Sequence, residues 1–144
     1  MDNLQDSRLS SSYWALRVTY LVVPIVAGLD KFFNVLTNWP KYLSPAFAHM
    51  IPMSPHAFMR LVGVVEIIAG LLVLSGRLTR VGAYIVMAWL ICIAINLVAL
   101  GMPDIAVRDL AMAVGAFALA RLEEVRVGAG RRVGVRVQEP VRVG

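Results

Sequence analysis

The sequence predicts an all-α fold: a four-helix antiparallel transmembrane bundle with a Pro-rich amphipathic loop between its first and second helices. Three observations predict it. The 144 residues are 59% hydrophobic and only 16% charged, with a mean hydropathy of +0.73; a soluble domain carries about 25% charged residues. Four apolar segments approach the roughly 20 residues that cross a bilayer. Between them lie two tight turns and one long loop, as an up-and-down bundle requires.

The first segment, 13–36, reads "YWALRVTYLVVPIVAGLDKFFNVL". It follows a polar stretch, 1–12, which lacks the basic start and apolar core of a cleaved signal peptide, so the first span is expected to be retained. Residues 37–57, "TNWPKYLSPAFAHMIPMSPHA", form the long loop. Pro40, Pro45, Pro52 and Pro55 forbid one continuous helix there. Trp39, Tyr42, Phe47 and Met50 make the loop amphipathic and suit it to the membrane surface. The second segment is 58–75 and the third 79–100, joined by "SGRLTR" across a tight turn. After the third, "GMPD" makes a second turn, in which Gly101 ends one helix and Asp104 caps the next. The fourth segment, 104–121, "DIAVRDLAMAVGAFALAR", is short and carries charge near its start. The bundle domain is thus 13–121. The remainder, 122–144, repeats a Val-Arg-Val unit and is expected to be a poorly ordered basic tail, with a short β-ribbon as the alternative.

The net charge of +5 is unevenly placed. A basic balance can indicate nucleic acid, but here the basic residues flank apolar segments, so the partner they indicate is the lipid bilayer. With the N-terminus inside, one face carries Arg8, Arg77, Arg80, Arg121 and the tail arginines, and the other carries Lys41 with Arg60 and Arg108 at helix mouths. Positive residues favour the cytoplasmic side, so both termini are expected to be cytoplasmic in an inner or plasma membrane, with the arginine tail able to attract anionic lipid.

Within "VGVVEIIAGLLVLSG", residues 62–76, Glu66 places a carboxylate in a span, at a cost of several kcal/mol unless it is compensated. It lies about 9 Å along the helix from Arg60. Lys31 and Asp30, Asn96, and Arg108 and Asp109 fall at similar depths on the other three segments. All four helices therefore contribute to one polar layer. Gly63, Glu66 and Gly70 share a stripe, as do Arg17, Tyr20, Pro24, Gly28 and Lys31, and Gly82, Trp89, Cys92 and Asn96. Small residues such as Gly28, Gly63, Gly70 and Gly82 let helices approach closely. The cation holding Glu66 is expected to be Lys31, Arg60 or Arg108. Two readings of the layer stand: an ion pair that sets packing, or a site in which Lys31, Arg108 and Asn96 donate while Glu66 and Asp109 accept or exchange protons.

Other candidates carry less. His49 and His56 are separated by prolines, and no cysteine or carboxylate in the loop completes a ligand set, so no metal site is expected. Cys92 cannot form an internal disulfide alone and reads as a small core residue. Trp14, Trp39 and Trp89 include two candidate interfacial anchors. No phosphate loop or nucleophile triad is present.

"GLDKFF" closing the first helix, "RLVGVVEIIAGLLVLSGRLTRVGA" across the second and third, and "DIAVRDLAMAVGAFAL" on the fourth together resemble the DoxX family of small four-helix membrane proteins, over about 15–121. The matching positions are Gly28, Lys31, Gly63, Glu66, Gly70, Gly76, Arg80 and Asp109. The resemblance implies a membrane subunit or anchor associated with respiratory or sulfur redox chemistry, similar to the small subunit of a thiosulfate:quinone oxidoreductase. It implies a redox-enzyme partner subunit or a homo-oligomer, an accessory rather than catalytic role, no built-in cofactor, and a quinone as candidate ligand. Against this stand a purely structural anchor without a ligand and a small-molecule transporter.

Overall fold

The computed structural model describes residues 7–137, with side chains over 9–128. Its order is α1 (Ser7–Phe33), a 3-10 turn at Trp39–Tyr42, α2 (Pro45–Ala48), α3 (Pro55–Leu74), α4 (Thr79–Ala99) and α5 (Pro103–Val137), with no strand among the described residues. Leu9–Phe33, α3 and α4 are long and apolar enough to cross a membrane. The chain is an integral membrane protein.

Local chemistry sets most boundaries. Ser54 caps α3 by accepting from the Ala57 N–H, with Pro55 at the first helical position. Thr79 Oγ1 donates to the Val73 carbonyl, and Arg17 donates to the Val73 and Leu74 carbonyls, so side chains satisfy the open end of α3. The α3–α4 turn passes through Gly76 at φ +71° and the α4–α5 turn through Gly101 at φ +85°, both left-handed. Asp104 does not cap α5. Pro103 opens that helix, which moves Asp104 into the first turn, where its charge complements the helix dipole.

The long helices form two close pairs. On one side, α1 packs along α3; on the other, α4 packs along α5; α3 meets α4 less extensively, and α1 meets α5 less again. The expected packing glycines lie at these crossings. A Cβ on Gly63 would sit 2.5 Å from the Gly28 carbonyl oxygen, one on Gly70 would sit 2.9 Å from the Leu21 oxygen, and one on Gly82 would sit 2.8 Å from the Val73 nitrogen. One core cluster gathers Tyr13, Tyr20, Ala69, Val73, Ala83, Val86, Ala116, Leu119 and Ala120 at the end of the bundle where α3 turns into α4.

Within the long loop, Ser44 caps α2 at the Phe47 N–H and Pro45 begins it. Two sequence expectations need correction. The first helix starts at Ser7 rather than at residue 13. The fourth long helix does not stop at Arg121: α5 continues to Val137 as helix, neither coil nor ribbon. Its first turn past Arg121 is pinned by tertiary contacts. Glu123 accepts from the Tyr13 hydroxyl at 2.5 Å, Glu124 accepts from Tyr84 and pairs with Arg121, and the Arg126 guanidinium lies 4.1 Å from the Tyr13 ring centre. Such contacts override the weak helix propensity of Gly and Val. The rest of the expected tail, 138–144, and the first six residues of the polar N-terminal stretch lie outside the described residues.

Candidate functional site

Glu66 faces inward from α3 and pairs with Lys31 of α1, Nζ to Oε2 at 2.6 Å, with both residues buried. The pair can form because the Gly28–Gly63 contact, one helical turn away on each helix, brings the two backbones together. Lys31 Nζ also lies 3.6 Å from the Trp39 ring centre. The Trp39 indole N–H in turn donates to Asp30 Oδ2 at 2.7 Å, and Asp30 also accepts the Val35 and Leu36 N–H groups just beyond α1. The ammonium thus sits between a carboxylate and an aromatic face, and both attract a cation in a poorly hydrated place.

Lys31, Glu66 and Trp39 line a cavity of about 560 Å³ between the two helix pairs. Its walls are mostly apolar, including Val23, Met59, Val62, Leu90 and Ile93. Its polar residues converge from all four long helices: Lys31, Glu66, Asn96 and Asp109. Asp109 on α5 is close enough to feel the charges of both Glu66 and Lys31. Trp89 of α4 also lines the cavity. Its indole nitrogen is buried with no hydrogen-bond partner among the described residues.

The loop roofs the cavity with Thr37, Trp39, Tyr42, Leu43 and Phe47. Asn96 straps it down, accepting the Ser44 N–H at 3.0 Å and donating to the Tyr42 carbonyl. Trp39 fastens the opposite side to α1 through Asp30.

Of the polar-layer residues read from the sequence, the structure therefore brings Lys31, Glu66, Asn96 and Asp109 to one cavity. Arg60 and Arg108 are exposed and do not line it. Shared depth misled in their case. Arg60 is six residues before Glu66, about 240° around the helix, and Arg108 is one residue, about 100°, from Asp109. Trp39 and Trp89 were read only as candidate interfacial anchors. Trp89 already stood on the α4 stripe with Asn96, a usable signal. No helical period could place Trp39, because it lies in the loop.

A DoxX family model matches residues 13–100. The chain belongs to the DoxX family. The matched DoxX residues include Lys31, Glu66, Trp89 and Asn96 and stop before α5, so Asp109 is supplied by a helix outside the match. Comparison of this DoxX chain with curated proteins and with solved structures gives no match.

Proposed function

We propose that the chain is a four-span membrane subunit, α5 being the fourth span, that holds the polar head of a quinone-like amphiphile in the roofed cavity and serves a redox-enzyme partner. The carrying observation is the cavity itself: about 560 Å³ of mostly apolar space, with one ammonium and two carboxyls at its polar part. Ligand sites have this composition, a hydrophobic wall with a few convergent polar groups. Packing alone needs the Lys31–Glu66 pair but neither the empty volume nor Asp109. Lys31 and the Trp89 N–H can donate to a head-group carbonyl, and Glu66 and Asp109 can exchange protons with it. A partner would supply or take the electrons. Transport is disfavoured, because the end of the bundle away from the roof is filled by the Tyr13–Tyr20 core cluster and crossed by the Tyr13–Glu123 bond. The arginine distribution supports a roof on the outer side and both termini in the cytoplasm.

Titration of the purified protein with decylubiquinone tests this reading, with quenching of tryptophan fluorescence as the signal, since Trp39 and Trp89 line the cavity. Saturable quenching in the wild type, weakened in Glu66→Gln while that variant remains folded, is the expected outcome. Failure of any quinone to bind, together with loss of stability in Glu66→Gln, would leave a structural anchor.

A further inference from the structure

The two helix pairs are joined unevenly along their length. At the end away from the roof, Tyr13 of α1 donates to Glu123 of α5, Arg126 stacks on Tyr13, and the Tyr20 hydroxyl donates to the Met112 carbonyl. Gly115 is closed over by the same Tyr20 hydroxyl. From Tyr20 toward the roof, no hydrogen bond or ion pair joins α1 to α5 among the described residues. Instead, Val23, Pro24 and Ala27 on α1 and Ile105, Asp109 and Met112 on α5 line the cavity. Val23 is 48% and Met112 39% exposed. A side chain that is both cavity wall and outer surface stands at an opening. The route through the roof is different in kind: Asn96 and Asp30 strap it by hydrogen bonds at both sides.

We propose that the cavity fills sideways from the membrane interior, through the seam between α1 and α5, and that its ligand is a membrane-dissolved amphiphile whose hydrocarbon tail remains in that seam. The proposal rests on the ligand-site reading above and adds the route and the need for a tail. The seam is apolar at Val23, Pro24, Ala27 and Met112, so a hydrocarbon chain crosses it without stripping water from a polar group, whereas a hydrophilic solute would have to leave water first. Only the polar head needs to reach Lys31, Glu66 and Asp109. The Tyr20–Met112 bond sets the lower limit of the opening, and the backbone beneath it holds the helices together while the upper part admits the ligand.

Stopped-flow fluorescence on the full chain in liposomes tests this. Val23→Phe and Ala27→Phe narrow the seam; Val23 is half-exposed, so the first enlargement does not enter the packed core. Decylubiquinone carries the tail, and duroquinone is a head without one. The expected result is entry of decylubiquinone slowed by about tenfold in both variants, the scale on which access changes alter association rates, and slowed more than entry of the tail-less duroquinone. Unchanged decylubiquinone entry in both variants, with binding intact, would overturn the lateral route and leave the site standing. Absence of quenching by either quinone in the wild type would overturn the site itself, and the route with it.

Discussion

At the scale of single residues, the Lys31–Glu66 pair shows why an intramembrane carboxylate is tolerated. Its partner lies at 2.6 Å, and that partner also faces the Trp39 ring. Removing one member leaves the other charge buried and uncompensated, which in protein interiors costs about 3–5 kcal/mol, while replacing both with apolar groups of similar volume is often nearly neutral. Lys31→Met and Glu66→Leu are therefore each expected to lower the thermal unfolding midpoint in detergent substantially, and the double variant to recover most of the loss. Simply additive losses would show that the two charges do not interact. The quinone titration reads a different property of the same residues, because Glu66→Gln keeps an acceptor for Lys31 and removes only the charge.

At the scale of elements, glycines divide into those that are crossings and those that are turns. Gly63 meets the Gly28 carbonyl, and a Cβ there would force the α1 and α3 backbones apart. Gly101 has open space around it and only its φ of +85° resists a side chain. Gly63→Ala is expected to destabilise by about 1–3 kcal/mol or more, as overpacking does, and to disturb the Lys31–Glu66 pair next to it. Gly101→Ala should cost about 1–2 kcal/mol from the left-handed backbone alone, with quinone binding unchanged. Chemical denaturation of the two variants beside the wild type checks the order; an equal, small effect at both sites would deny the close crossing. The extension of α5 belongs to this scale too. Its first turn past Arg121 is held by Tyr13 and Tyr84, which lie far away in the sequence.

At the scale of the whole molecule, the two pairs are closed at one end and separated by the cavity toward the roof. Basic residues gather at the closed end, with Arg17, Arg77, Arg80, Arg121 and Arg126 there. In a Cys92→Ser background, a cysteine at Lys41 is expected to react with an impermeant maleimide from outside intact cells, and one at Val127, which is exposed, only after permeabilisation. Labelling of Val127→Cys from outside would reverse the orientation.

The sequence by itself determined that this is a helical membrane protein, because hydropathy and turn chemistry are local and act on consecutive residues. Length of apolar run, Gly101 at its turn and Ser54 before Pro55 are all readable in the chain. It also marked Glu66 as needing a cation and listed Lys31 among three. Tertiary structure alone decided which cation, because depth along a helix is a matter of counting while azimuth against a neighbour depends on how the helices cross. That crossing is set where Gly28 meets Gly63, and it turns Lys31 inward while Arg60 and Arg108 remain exposed. The roof was beyond the sequence for the same reason. Trp39 reaches Lys31 and Asp30 only after the loop has folded back, and Asn96 binds loop backbone more than 50 residues away.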